Sequence, residues 1–503
     1  MSTTQSETIQ KFRDIVTKLK SYEEAIGLMY WDLRTGAPRK GAQMRSETIG
    51  MLSTDMFKLG ISEEMGLCLD ALEADLEQLD ATTRKLVIEA RKEYNRNKLI
   101  PPQLYQEYIV LTSNAETVWE EAKANQDFEM FKPYIRDIVK MNQKFIDYWD
   151  AKETRYDTLL DMYEPGMTVA KLDAIFGKLR DQLVPLVQAV QHSDNKPEHG
   201  FLDQSFDIEG QKQFSNFILK QIGFNFDAGR LDESVHPFAT GLNPGDVRIT
   251  TNYLPNDVAS AVFSSLHEGG HALYEQNIRE DLARTPLCTG TSMGIHESQS
   301  RFWENLIGRS SLFWSRYFAD LQKVFPEQLG AVKVEQFYRA INRIEPSLIR
   351  IEADEVTYNL HIIIRYEIEK MLFNDNLSVD DLPDVWNEKY ESYLGVKPSH
   401  NGEGVLQDVH WSSGGFGYFP SYSLGNMYGA QMMNKLRQVM PDVDERIARG
   451  DLLPIKEWLS EHVYQYGKLL TPSEIIERMT GEALNPQYLV DYLTAKTKDV
   501  YGF

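Results

Sequence analysis

Cysteine is nearly absent. Cys68 and Cys288 are the only two in 503 residues, and neither belongs to a C-x-x-C pair. That excludes a disulfide framework. Long apolar runs are missing too: none reaches the ~18 residues of a membrane span. The opening Met1-Ser2-Thr3-Thr4-Gln5-Ser6 lacks the apolar segment of a secretion signal. Positive charge is the minority, with 53 Lys and Arg against 75 Asp and Glu, a net charge of -22. This sign argues against nucleic acid and against an anionic membrane as partners. Internal repeats and low-complexity segments are also absent. The expectation is a soluble, cytoplasmic protein. Its 42% hydrophobic content, with 23 Phe, 25 Tyr and 8 Trp, suffices for a large core.

Strand-forming sequence is scarce, and helical periodicity dominates. Ile9, Phe12, Ile15, Val16 and Leu19 recur at helix spacing, as do Leu86, Val87, Ala90 and Tyr94. Tyr30-Trp31-Asp32 through Pro38 reads as an interruption. Pro101-Pro102 ends one helix and opens another, and further helices are predicted over residues 168–190 and 208–224. The convincing β signal lies between His236 and Leu254. There Asn243-Pro244-Gly245-Asp246 is turn chemistry and Val247–Thr251 alternates with β-branched residues. A strand at this place would lie along a cleft and offer an edge to an extended peptide. Thr471-Pro472-Ser473-Glu474 is a capping box, and Asn485-Pro486 opens the last helix.

Histidine is rare, 10 in the chain, yet two sit in Ser265-Leu266-His267-Glu268-Gly269-Gly270-His271. Apolar Val258, Ala261, Val262, Leu266, Ala272 and Leu273 place this H-E-x-x-H on a helix. Residues four apart share a face, so His267 and His271 can present two imidazoles to one metal ion. Glu268, rotated by about 100°, reaches the metal's water without filling a ligand position. A zinc hydrolase needs that arrangement. Two glycines inside a helix cost up to ~1 kcal/mol each relative to Ala. Gly269 and Gly270 therefore imply close approach by a substrate backbone or a neighbouring strand.

A catalytic zinc needs a third protein ligand. The extended motif with Gly and a third His is excluded, because Tyr274 and Asn277 stand at those positions. Glu275 continues the same stripe but converges poorly on a tetrahedral ion. Glu297 and His296 lie on the next helix, after a loop long enough to fold it across the first. Glu297 is preferred over His296, which completes a His₂Glu set.

At this point the chain resembles the thermostable carboxypeptidase Taq family of zinc metallocarboxypeptidases. The matching stretches are His236-Pro237-Phe238, Asp246-Val247-Arg248-Ile249-Thr250, the His267–His271 motif and His296-Glu297-Ser298-Gln299. Arg350-Ile351-Glu352-Ala353-Asp354 and Gly404 through Asp408-Val409-His410-Trp411 follow in family order. Trp31-Asp32, Thr35 and Pro38 are similar as well. The resemblance implies a mainly α fold, a large helical metallopeptidase with a deep substrate groove and a small β-sheet next to the active site. That fold is related to neurolysin and angiotensin-converting enzyme. It implies one metallocarboxypeptidase domain over 1–503, helical to about residue 230 and catalytic from about 231. It also implies a homodimer that removes C-terminal residues from peptides with broad specificity, sparing C-terminal proline. His267, His271 and Glu297 carry over as metal ligands and Glu268 as the base.

The reaction expected is hydrolysis of the last peptide bond, with Zn2+ as cofactor and Co2+ or Mn2+ as possible substitutes. Glu268 takes the water's proton and later delivers it to the leaving amine. His410 and Tyr422 are candidate oxyanion donors, spaced like the His/Tyr pair of neurolysin-like enzymes, with Tyr418 as competitor. A free carboxylate favours a bidentate Arg. Arg350 is the first candidate and Arg248 the second, and His236 joins them as a substrate-binding candidate. Pairing of Arg350 with Glu352 or Asp354 is the bland alternative. A zinc endo-oligopeptidase and a non-enzymatic helical scaffold are the rival readings of the whole chain.

Overall fold

The structure is a computed structural model describing residues 3–503. Polar caps set where helices begin. Ser62, Asp80, Thr154, Thr168, Asp207, Asp257, Ser292 and Thr471 each accept a backbone N–H from the first turn. Each removes one donor that the helix itself leaves unpaired. The predicted box at Thr471 and Glu474 forms with both reciprocal bonds.

The first part is all helix: α1 (Thr3–Thr35), α2 (Ala42–Gly60), α3 (Glu63–Glu73), α4 (Ala81–Lys98) and α5 (Pro102–Asn125). Then come α6 (Phe128–Tyr148), α7 (Arg155–Tyr163), α8 (Val169–Gln191) and α9 (Ile208–Ile222). A three-stranded sheet follows: β1 (Gly229–Glu233), β2 (Ala239–Asn243) and β3 (Asp246–Thr251). Helices resume with α10 (Val258–Gln276), α11 (Met293–Arg301), α12 (Ser311–Val324), α13 (Pro326–Leu329) and α14 (Val334–Ile341). Next are α15 (Thr357–Asn374), α16 (Leu382–Leu394) and α17 (Pro420–Val439). The chain closes with α18 (Val443–Arg449), α19 (Leu453–His462), α20 (Pro472–Thr480) and α21 (Gln487–Tyr501). Buried apolar side chains from Phe12 to Tyr501 form one contiguous core. The mainly α architecture with a small sheet is the one the sequence predicts.

Two expectations need correction. The interruption at Tyr30 does not occur: α1 continues through Trp31 to Thr35, and the turn begins at Gly36. Trp31 is buried, with the guanidinium of Arg248 4.6 Å and that of Arg230 5.1 Å from its ring centre. Packing of α1 on the sheet outweighs the local turn propensity there. The second correction concerns β3. It is the central strand, parallel to β1 with Leu231 opposite Ile249 and antiparallel to β2 with Ala239 opposite Ile249. Both its edges are filled, so β3 offers none to a peptide. The strand at the cleft is β2, whose Ala239 and Gly241 line it.

Candidate active site

The predicted apolar positions of α10, Val258, Ala261, Val262, Leu266, Ala272 and Leu273, are all buried. Burying that face turns His267 and His271 the other way, toward α11. The two helices touch closely because of Gly270: a Cβ there would collide with the Gln299 carbonyl oxygen and lie 2.7 Å from Ser300 Cα. A Cβ on Gly269 would lie 2.6 Å from Leu219 of α9. The glycines thus admit neighbouring helices, where the sequence suggests a substrate or a strand. On the far side of α11, Gly425 of α17 leaves room for Glu297, whose Cγ a Cβ would meet at 2.6 Å.

These contacts bring His267, His271 and Glu297 together. Glu297 Oε2 lies 3.7 Å from His267 Nε2 and 3.6 Å from His271 Nε2. One ligand atom from each residue falls within 4.8 Å of the other two. Three lone-pair atoms converge here at spacings too long for hydrogen bonds. Ligands about 2.1 Å from a tetrahedral ion are about 3.4 Å apart, so the set fits a divalent metal.

The surrounding bonds fix which nitrogen faces the site. Glu304 Oε2 sits 2.8 Å from His267 Nδ1, which therefore carries the proton and leaves the Nε2 lone pair free for a metal. His271 is oriented through a second imidazole. His296 Nε2 donates to Glu275 Oε1 at 2.8 Å, so its Nδ1 accepts from His271 Nδ1 at 2.6 Å. His271 Nε2 is then free for the metal. Both ring nitrogens of His296 are engaged away from the ligand atoms. Glu275 and His296, the other two candidates for the third ligand, stand one layer behind. Arg301 completes the shell, donating to Glu297 Oε1 at 2.7 Å and to Glu304 Oε2 at 3.1 Å. Phe302–Ile307 is a π-helical turn, and such turns re-aim side chains at functional sites. Sequence reasoning does not find Glu304 and Arg301, although a lone Glu in Phe302-Trp303-Glu304-Asn305-Leu306-Ile307 signals a buried acid.

Glu268 lines the same cavity of about 450 Å³, together with Pro237, Phe238, Met293, Tyr418 and Tyr422. Burial pushes its carboxyl up to about 7, the neighbouring Glu297 and Glu304 add to this, and His267 opposes it. A bound dication would act in the same direction as His267.

The remaining candidates are distributed unevenly. His410 Nε2 is 3.2 Å from the Tyr422 hydroxyl, and Tyr418 packs edge-on against Tyr422 with ring centres 5.1 Å apart. Burial, with Arg350 and Arg365 nearby, lowers the His410 pKa to about 4 against the pull of Asp408, so the imidazole is neutral. Arg350 is buried and pairs with neither Glu352 nor Asp354. Its Nε and Nη2 donate to Asp408 Oδ1 at 3.0 and 2.8 Å, and Nη1 donates to the Tyr358 hydroxyl at 3.0 Å. The guanidinium carbon lies 5.0 Å from the Tyr422 ring centre, which keeps Arg350 beside the oxyanion candidates. Arg248 gives both arms of its fork to Asp246 at 2.8 Å and stacks on Trp31. His236 is exposed, at the bend before β2. Of these candidates Tyr418 and Tyr422 line the cavity that holds Glu268, and His410, Arg350, Arg248 and His236 do not.

Comparison with known proteins agrees with this architecture over almost the full chain. The family model described as carboxypeptidase Taq (M32) metallopeptidase matches residues 11–497. Carboxypeptidase 1 of Bacillus subtilis is 50% identical over 492 residues, 98% of each chain. Thermostable carboxypeptidase 1 of Thermus thermophilus is 39% identical, covering 96% of this chain and 97% of that one. The crystal structure of the M32 carboxypeptidase from Deinococcus radiodurans R1 superimposes with a TM-score of 0.96 at 36% identity, over 99% of this chain and 100% of that chain. With a metal-ready His/Glu cluster at its centre and this likeness along its length, the chain belongs to the carboxypeptidase Taq (M32) metallopeptidase family and is a metal-dependent carboxypeptidase.

Proposed function

We propose that the protein hydrolyses the C-terminal bond of peptides at a zinc ion held by His267, His271 and Glu297, with Glu268 as general base. The observation that carries this reading is the convergence of three ligand atoms beside a buried carboxylate in an open cleft. A divalent ion bound there lowers the pKa of water and polarises the scissile carbonyl. Glu268 accepts the water's proton at its carboxylate and passes it to the leaving nitrogen. Tyr422, with neutral His410 behind it, donates to the developing oxyanion, and Tyr418 is the nearest substitute. Arg350 anchors the substrate's terminal carboxylate. A guanidinium has five N–H donors, and three are spent on Asp408 and Tyr358, so two remain. The reading includes broad specificity with C-terminal proline disfavoured, and Co2+ or Mn2+ as substitutes for zinc. It further includes one catalytic domain over residues 1–503, a neurolysin-like groove, a homodimer and a cytoplasmic location.

The test is a digest of blocked dipeptides and longer peptides, as free acids and as amides, with metal removed and restored. Free acids should lose one residue at a time only when metal is present. Internal cleavage of the amides would make the protein an endo-oligopeptidase instead.

The ligand shell gives a graded expectation. Glu297→Ala should lose stoichiometric zinc, because it removes a ligand atom. His296→Ala should keep the ion with roughly 10- to 100-fold weaker affinity, the usual consequence of losing an orienting partner. Zinc content after dialysis against graded chelator separates them. The reverse ranking would move the third ligand to His296.

Arg350→Ala gives a second. A hydrogen bond to a charged group contributes about 1.5–3 kcal/mol, so kcat/KM for free acids should fall roughly ten- to over a hundred-fold. Amidated counterparts should change little. Equal slowing of both forms places the anchor elsewhere.

A further inference from the structure

Between His410 and Tyr422 runs a glycine-rich loop that must hold its two ends in a fixed relation. Gly417 has φ +88°, and a Cβ there would lie 2.8 Å from the Leu159 backbone of α7. The neighbouring Gly414 has φ +78° and lies under the Tyr108 hydroxyl. Glycine suits such turns but leaves the loop little rigidity of its own. The rigidity comes from a fully buried carboxylate outside the cleft, Glu369 of α15. Its Oε1 accepts the Trp411 indole N–H at 2.7 Å, and its Oε2 accepts the Gly417 backbone N–H at 2.8 Å. The Tyr156 hydroxyl of α7 donates to the same Oε2 at 2.5 Å. Trp411 adjoins His410, and Gly417 adjoins Tyr418. One carboxylate therefore ties both ends of the loop, one of them a residue from Tyr418, which lines the cleft, and the other a residue from His410, which reaches the cleft residue Tyr422 at 3.2 Å.

We propose that Glu369 is a positioning residue for the hydrolysis: it clamps the 411–417 loop so that His410 and Tyr418 meet Tyr422 in the geometry the oxyanion needs. The proposal rests on the oxyanion roles assigned above. A carboxylate suits the position because all three partners are donors. An amide does not: whichever way a glutamine side chain turned in this place, its NH₂ would face one of the two loop donors, and that bond would be lost. Displacement of about 1 Å at reacting groups costs on the order of 100-fold in rate, so loosening the clamp acts on turnover more than on substrate binding.

The experiment measures kcat, KM and zinc content for Glu369→Gln, Trp411→Phe, Tyr156→Phe and His410→Ala, with the Glu369→Gln/His410→Ala double variant. Glu369→Gln and Trp411→Phe should each lower kcat about 10- to 100-fold with KM nearly unchanged and zinc retained. Tyr156→Phe removes an equally buried bond to Glu369 but neither loop bond, so its kcat should stay within about threefold of wild type. In the double variant Glu369→Gln should cost less than it does in wild type, because only the Tyr418 end of the loop is left for it to act through. The proposal is overturned by unchanged kcat in both loop-bond variants, by an equal loss in Tyr156→Phe, or by additive losses in the double variant. Should Glu369→Gln fail to fold, Trp411→Phe against Tyr156→Phe decides alone. His410→Ala with full turnover strikes the underlying assignment of His410, a result distinct from a failed clamp.

Discussion

Glu268→Gln should bind zinc at full stoichiometry and turn over about 10²–10⁴ times more slowly than wild type, toward the upper end of that range. The proposed ligands His267, His271 and Glu297 are untouched by the change, and their orientation comes from Glu304, His296 and Arg301. The amide has almost the same shape as the carboxylate and fits the same wall of the cleft. What it lacks is basicity, and the proposed reaction asks Glu268 for that twice, once toward water and once toward the leaving nitrogen. Because the lost function is chemical, KM for a peptide should move little while kcat collapses. Zinc analysis and single-turnover rates on one preparation make the test. Turnover above a few per cent with metal in place would assign the base elsewhere, and loss of zinc would show that Glu268 supports the ligand shell.

The parts of this site that are legible in the sequence are those with short-range periodicity. His267 and His271 share a helical face, and that relation survives any tertiary arrangement. The apolar positions of α10 are readable for the same reason. Relations between helices are only partly readable. Glu297 competes with His296 in the sequence because a loop of unspecified path precedes both. The structure separates them through Gly270 and Gly425, which set how closely α11 lies between α10 and α17. Pairings across long sequence separations leave no local trace. Arg350 finds its acid at Asp408, and Glu369 finds its donors at Trp411 and Gly417. A signal is nevertheless present in α15, where His361, Arg365 and Glu369 recur every four residues among Leu360, Ile362, Ile363, Ile364 and Ile368 and are all fully buried. Polar residues in phase on a buried helix mark a network whose partners come from elsewhere. The extent of α1 is misjudged from sequence for the opposite reason: local turn residues carry a weight there that the packing of Trp31 overrides.

Asp408→Asn is expected to be the most destabilising single change in this network, by about 3–5 kcal/mol. Asp408 is shared between two buried cations. Arg350 donates to Oδ1, and Arg365 donates to Oδ2 from Nε at 2.7 Å, with its Nη2 in ion-pair contact 2.6 Å from the same oxygen. Burial alone would raise the pKa of this carboxyl, but Arg365 and then Arg350 overcome it and hold it well below the usual carboxylate range. Neutralising the group leaves two guanidiniums without a counter-charge and turns an amide NH₂ toward one of them. Arg350→Met is milder by the same reasoning, since Asp408 stays paired with Arg365 and no buried charge is stranded. The pH dependence has a definite sign. A depressed folded-state pKa contributes stability that is complete above the unfolded value of about 3.9 and is lost as pH falls toward the folded value. The difference in thermal midpoint between wild type and Asp408→Asn should therefore be constant from about pH 5 to 8 and narrow below about pH 4, where the wild type begins to lose what the variant never had. Scans at a fixed heating rate on the zinc-free protein, at about pH 7 and about pH 3.5, supply the comparison on either side of that unfolded value without the loss of metal that acid brings. A variant as stable as wild type at neutral pH, or a gap that widens on acidification, would mean that the pair serves geometry around Arg350 and contributes nothing net to folding.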